Sequence, residues 1–136
     1  MNKELEKKLF TTFPRLFRRH GRARRRVNGY GICTDDGWYK LIHELCVQIQ
    51  KHAAENDLDP VALQVKEKLG GLRFYLRGAD ERIDALIDGA ERRSFKICEV
   101  CGEPGQLRAH GWLRTLCDKH YDDDYARENG TEDAQC

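Results

Sequence analysis

The chain has 136 residues, 40% of them hydrophobic and 35% charged, so it can bury one modest core under a heavily solvated surface and is too short for several domains. Its 24 Lys/Arg nearly balance 23 Asp/Glu. No stretch approaches the roughly 18–20 consecutive apolar residues that span a bilayer, and the N-terminus lacks the apolar core of a secretory signal. A cytoplasmic location is therefore expected, where thiols stay reduced and the six cysteines read as metal ligands before disulfides.

The near-neutral total hides a polarity. Residues 1–30 hold ten Lys/Arg against two Glu, whereas residues 118–136 hold seven Asp/Glu against two Lys/Arg. Such an arrangement calls for an external anionic partner at the N-terminus, or for the two ends to pair with each other.

In chain order, residues 1–13 place Leu5, Leu9 and Phe10 at helical spacing before Pro14 interrupts. Phe13-Pro14-Arg15-Leu16-Phe17 reads as a segment that docks aromatic side chains, and Arg18 to Arg26 as a basic arm. A helix is predicted from Asp36, whose carboxylate suits an N-cap, with Trp38, Leu41, Ile42, Leu45, Cys46 and Ile49 on one apolar stripe. It should fade between Glu55 and Asp57.

Leu63 and Val65, then Leu72, Phe74 and Leu76, alternate with polar residues on either side of Gly70-Gly71, which predicts a β-hairpin turning on the two glycines. Its polar face would carry Lys66, Arg73, Tyr75 and Arg77. A second helix follows from about Asp80 to Ser94, with Ile83, Leu86, Ile87 and Ala90 on its stripe. The polar residues 128–136 are expected to be a disordered tail.

Cys98-Glu99-Val100-Cys101-Gly102 is a metal-binding knuckle: two thiolates two residues apart converge on one ion, and glycine permits the tight turn. Cys117-Asp118-Lys119-His120 adds a thiolate and an imidazole after fifteen intervening residues. Cys98, Cys101, Cys117 and His120 thus form a closed four-ligand set of the kind that holds one structural Zn2+, with no position for a catalytic water. Residues 107–109 and 112–116 can form a hairpin between the ligand pairs, and the second pair can open a helix: the treble-clef arrangement. Trp38 and Trp112 are both expected to be packing residues. Cys33, Cys46 and Cys136 lack ligand spacing, and Cys46, on the helix stripe, reads as a small buried hydrophobe.

The predicted architecture is α+β: a basic segment or arm over 1–35, a helix–hairpin–helix core over 36–97, a treble-clef-like zinc finger over 98–127, and the tail. Phe13 to Phe17, Asp36-Gly37-Trp38-Tyr39, the stretch Gln64 to Tyr75, the knuckle Cys98 to Gly105 and Gly111 to Cys117 together resemble a family of small zinc-binding proteins encoded by phages, prophages and bacteria. The resemblance covers most of Phe13 to His120. It implies a phage or mobile-element origin, a bacterial host cell and zinc, but no activity. The arginine run is not part of the shared pattern.

Function is expected to be non-enzymatic binding of a macromolecule. Arg18, Arg19, Arg22, Arg24, Arg25 and Arg26, extended by Lys66, Arg73, Tyr75 and Arg77, could neutralise phosphates and offer a stacking ring, which points to nucleic acid. The alternative is a phage-encoded inhibitor that binds a host defence or transcription complex. A nuclease would need a general-base histidine and an open metal position, and only His110 lies between the ligand pairs. No small-molecule substrate is indicated.

Overall fold

A computed structural model describes residues 1–19, 27–109 and 111–127. Among these residues the architecture is α+β, with four α-helices, a three-stranded sheet and a two-stranded sheet.

Helix α1 (Lys3–Thr12) begins at Asn2, whose side chain accepts from the Leu5 N–H at 2.9 Å. Beyond it Phe13, Leu16 and Phe17 turn into the core, and the Leu16 carbonyl accepts from the Ala62 N–H at 2.7 Å. This basic segment therefore contributes buried wall. Val27 and Ile32 are also buried, on the far side of the arginine run.

Strand β1 (Ile32–Cys33) runs parallel to β2 (Val61–Lys68), which pairs antiparallel with β3 (Gly71–Arg77). The hairpin turn differs by one residue from the sequence prediction. Leu69 and Gly70 occupy it, with φ of 54° and 84°, while Gly71 already belongs to β3 and pairs with Lys68. A Cβ on Gly71 would strike the Phe95 ring, so its glycine serves a close approach and not the turn.

Helix α2 (Tyr39–Glu55) presents the predicted stripe, and Trp38, Leu41, Ile42, Leu45, Cys46 and Ile49 are all buried. Each large apolar side chain so buried contributes about 1.5–3 kcal/mol relative to exposure. Asp36 does not cap this helix. It opens a 3-10 turn, Asp36–Trp38, and its carboxylate accepts instead from the backbone and side-chain nitrogens of Asn2, at 2.7 and 2.9 Å. The carboxylate thus ties α1 to the start of α2.

Helix α3 (Glu81–Ser94) is capped by Asp80, which accepts from the Ile83 N–H at 2.9 Å and also bonds His52 Nε2 at 2.7 Å. The helix shields the free edge of β3: the N–H groups of Leu72 and Phe74 donate to Ser94 Oγ and to the Glu91 carboxylate. Short strands β4 (Gln106–Arg108) and β5 (Arg114–Leu116) and helix α4 (Asp118–Arg127) complete the chain.

Candidate metal centre and basic face

The knuckle forms because backbone bonds fold it tightly. Cys98 N–H donates to the Glu103 carbonyl at 2.7 Å, Gly102 N–H returns to the Cys98 carbonyl at 2.9 Å, and Gly102 takes a φ of 83°. Strands β4 and β5 then reverse the chain and deliver Cys117 to the head of α4, where Tyr121 N–H donates to the Cys117 carbonyl. His120 lies within that first turn.

These elements bring together all four residues singled out by spacing. Their ligand atoms lie within 4.8 Å of one another, a grouping able to hold a metal ion. Cys101 Sγ is 3.8 Å from Cys117 Sγ, and His120 Nδ1 is 3.6 Å from Cys98 Sγ and 3.2 Å from Cys117 Sγ. Cys98 is fully buried, whereas Cys101 faces outward. Burial disfavours the Cys98 thiolate, but the N–H groups of Cys117, Cys101 and Val100 outweigh it and bring its pKa below the ordinary thiol value.

The knuckle is fused to the helical core. Gly37 N–H donates to the Glu99 carbonyl at 2.6 Å, Trp38 Nε1 donates to the Ile97 carbonyl at 2.9 Å, and Asp35 N–H donates to the Glu99 carboxylate at 3.0 Å. A Cβ on Gly37 would collide with the Cys98 carbonyl oxygen and lie 2.5 Å from that of Glu99. At the other side the tip of the β2–β3 hairpin rests on β4 and β5. There Thr115 Oγ1, fully buried, donates to the Gly70 carbonyl at 2.6 Å, and a Cβ on Gly70 would strike Leu107.

Charges reinforce this joint. Arg114 reaches Asp124 at 2.7 Å, Asp35 at 2.9 Å and Glu99 at 3.9 Å. Burial opposes its charge, yet Asp124, Glu99 and Asp35 hold its pKa above the ordinary arginine value. Burial, assisted by the Asp35 carboxylate, pushes Glu99 up to about 7. Arg108 bonds Asp118 at 2.7 Å and lies 4.6 Å over the Tyr121 ring.

The residues predicted for partner binding fall into three groups. Arg18 is held by Asp59, with Nη1 at 2.9 Å, and Arg15 reaches the same carboxylate at 3.0 Å. The Arg15 hydrogen bond is the largest influence holding the Asp59 pKa below its usual value. Arg19 is exposed at a cleft that Lys3, Phe10 and Tyr30 also line. Arg22, Arg24, Arg25 and Arg26 lie outside the described residues, as do His20, His110, Cys136 and the whole of 128–136.

On the sheet, Lys66 and Arg73 form one cross-strand pair, Gln64 and Tyr75 the next, so period-2 alternation puts Lys66, Arg73, Tyr75 and Arg77 on one face. Val65, Leu72 and Phe74 fill the opposite, buried face.

One aromatic contradicts its sequence reading. Trp38 is buried as expected, but Trp112 stands 72% exposed, because the finger's packing is supplied by Leu116, Thr115 and the knuckle backbone. His43 packs against Phe13, and His52 bonds Asp80. Cys46 is buried, and burial pushes its thiol pKa up. Sequence reasoning missed Gly37, Glu99 and Thr115 as joint residues; only the Gly in Asp36-Gly37-Trp38, at what looked like a helix start, signalled a close approach.

Family models, curated proteins and solved structures give no match to this chain.

Proposed function

We propose that this chain is a non-enzymatic nucleic-acid-binding protein whose Cys98, Cys101, Cys117 and His120 hold one structural zinc ion in a treble-clef finger. The ligand chemistry supports zinc. Bonds of about 2.3 Å to sulfur and 2.0–2.1 Å to nitrogen, arranged tetrahedrally, require edges of about 3.8 Å between sulfurs and about 3.6 Å between sulfur and nitrogen. The separations of 3.8 and 3.6 Å fit those edges, and 3.2 Å is somewhat tighter. Knuckle, hairpin and a helix headed by the second ligand pair follow the treble-clef order. Four protein ligands fill the coordination sphere, so the ion would supply folding free energy and no open catalytic position.

The observation that carries the binding reading is the outward face of the β2–β3 sheet, where Lys66, Lys68 and Arg73 accompany the exposed ring of Tyr75. Residues flanking the arginine run dock beside this sheet: the Leu16 carbonyl bonds Ala62 of β2, and β1 follows Val27. The resemblance to phage-encoded proteins is in keeping with an accessory factor working in a bacterial host.

The test is fluorescence anisotropy with labelled DNA and RNA at two salt concentrations. Binding that weakens steeply with salt, and that Lys66→Glu with Arg73→Glu reduces at least tenfold without loss of zinc, is the expected result. Salt-independent binding, or binding indifferent to the double variant, would refute it.

A second reading, an inhibitor that docks on a host defence or transcription complex, draws on exposed Leu69, Leu107 and Trp112. A stable host protein captured by the wild type but not by Trp112→Ala, with no nucleic-acid binding, would favour it.

A further inference from the structure

We infer that the nucleic acid is single-stranded, and that Tyr75 and Trp112 are base-stacking platforms at the two ends of the cationic stripe on the sheet. This inference rests on the nucleic-acid reading above. The register Gln64–Tyr75, Lys66–Arg73, Lys68–Gly71 makes the stripe continuous along the hairpin. Tyr75 lies four positions along the strand from Gly71, about 13 Å. At Gly70 and Gly71 the stripe meets the finger, where Gly70 adjoins the Arg114 backbone and Leu107. Trp112 lies two residues before Arg114 in the turn joining β4 to β5.

Both rings are placed to stack. Tyr75 is 43% exposed beside Lys66 and Arg73, and Trp112 is 72% exposed. Large aromatic side chains normally bury their apolar area in a core, so a tryptophan left in solvent, in the turn leading into the strand that adjoins the hairpin tip at Gly70, suits a flat ligand. Aromatic rings interleaved with cations are the means by which single strands are held with little sequence preference, over sites of about 4 nucleotides and more.

The helical route to duplex DNA is unfavourable here. A recognition helix enters the major groove between two rows of phosphates. The finger's own helix, α4, carries Asp118, Asp122, Asp123 and Asp124 against Lys119 and Arg127, and none of its residues is buried. The exposed carboxylates of Asp118, Asp122 and Asp123 would repel both phosphate rows. On the sheet the cross-strand partner of Tyr75 is the uncharged Gln64, and that of Arg73 is Lys66.

The test uses the zinc-loaded full chain with a 15-nucleotide oligo(dT), the same length of oligo(rU), and a 15-base-pair duplex, followed by anisotropy and by tryptophan emission. Of the two tryptophans, Trp38 is fully buried, so quenching reports Trp112. The expected result is at least tenfold tighter binding to a single strand than to the duplex, with quenched emission. Trp112→Ala and Tyr75→Ala should each weaken single-strand binding at least about fivefold, and Trp112→Phe should restore most of the loss. Unchanged zinc content and melting would show that each variant folds. Equal or tighter duplex binding, or single-strand binding that neither quenches Trp112 nor responds to its loss, would overturn this inference and leave the nucleic-acid reading standing. No binding to any of the three at low salt would overturn both.

Discussion

Gly37→Ala measures how firmly the finger is fused to the core. The added methyl would collide with the Cys98 carbonyl oxygen and sit 2.5–2.6 Å from the Glu99 carbonyl group, all backbone atoms that no rotamer change can clear. The knuckle must shift, which costs about 1–3 kcal/mol as overpacking. It also puts at risk the Gly37 N–H bond to the Glu99 carbonyl, worth about 0.5–1.5 kcal/mol. A loss of about 2–4 kcal/mol is therefore expected, or roughly 8–15 °C in melting temperature for a domain of this size. Gly89→Ala is the matched control. It makes the same chemical change inside α3, where a Cβ meets no atom within 4 Å, and should stabilise by about 0.5–1 kcal/mol. Thermal melts followed by circular dichroism, with zinc content measured in parallel, decide the matter. Melting temperatures for Gly37→Ala and Gly89→Ala that move together, or a Gly37→Ala protein as stable as wild type, would show that the knuckle is not seated against Gly37.

Three further outcomes are expected. Cys101→Ser, or excess chelator, should remove zinc and lower the melting temperature, because metal binding and folding are linked; full zinc retention by Cys101→Ser would exclude Cys101 as a ligand. The His52 hydrogen bond, with the Ile83 N–H behind it, holds the Asp80 pKa below its ordinary value, so its stabilisation is present above the unfolded pKa near 3.9 and fades as pH falls through the folded value. Asp80→Asn should accordingly melt lower than wild type at pH 6 and show a smaller difference from it at pH 3, and an equal difference at both would refute the linkage. Cys46, fully buried, should escape alkylation in native protein and react only once denaturant is added, as peptide mass spectrometry would reveal.

The parts legible in the sequence are those encoded locally. The stripe from Trp38 to Ile49, the helix from about Asp80 to Ser94 and the spacing of Cys98, Cys101, Cys117 and His120 each need only a few neighbouring residues to state a preference, and the fold brings each to its expected place, whereas Asp36, expected to cap the first long helix, bonds Asn2 instead. What escaped was tertiary. Ile32–Cys33 is too short for any periodicity to announce a strand, and it exists because β2 offers a free edge. The hairpin was expected to turn on Gly70-Gly71, yet Leu69 accepts the left-handed conformation while Gly71 is reserved for the Phe95 ring. The Arg18–Asp59 pair spans 41 positions, and the union of Gly37 with the Glu99 backbone spans 62; no local pattern reports either. Trp112 was read as packing because aromatic residues in small modules usually are, but Thr115 and Leu116 fill that role.

The most direct single measurement is zinc-edge X-ray absorption on protein purified without added metal, with stoichiometry from native mass spectrometry. One zinc per chain, bound by three sulfurs at about 2.3 Å and one nitrogen at about 2.0–2.1 Å, is the expected result. Folded protein that contains no metal, or a shell with oxygen or water in place of a thiolate or the imidazole, would contradict the structural staple on which the rest of the reading is built.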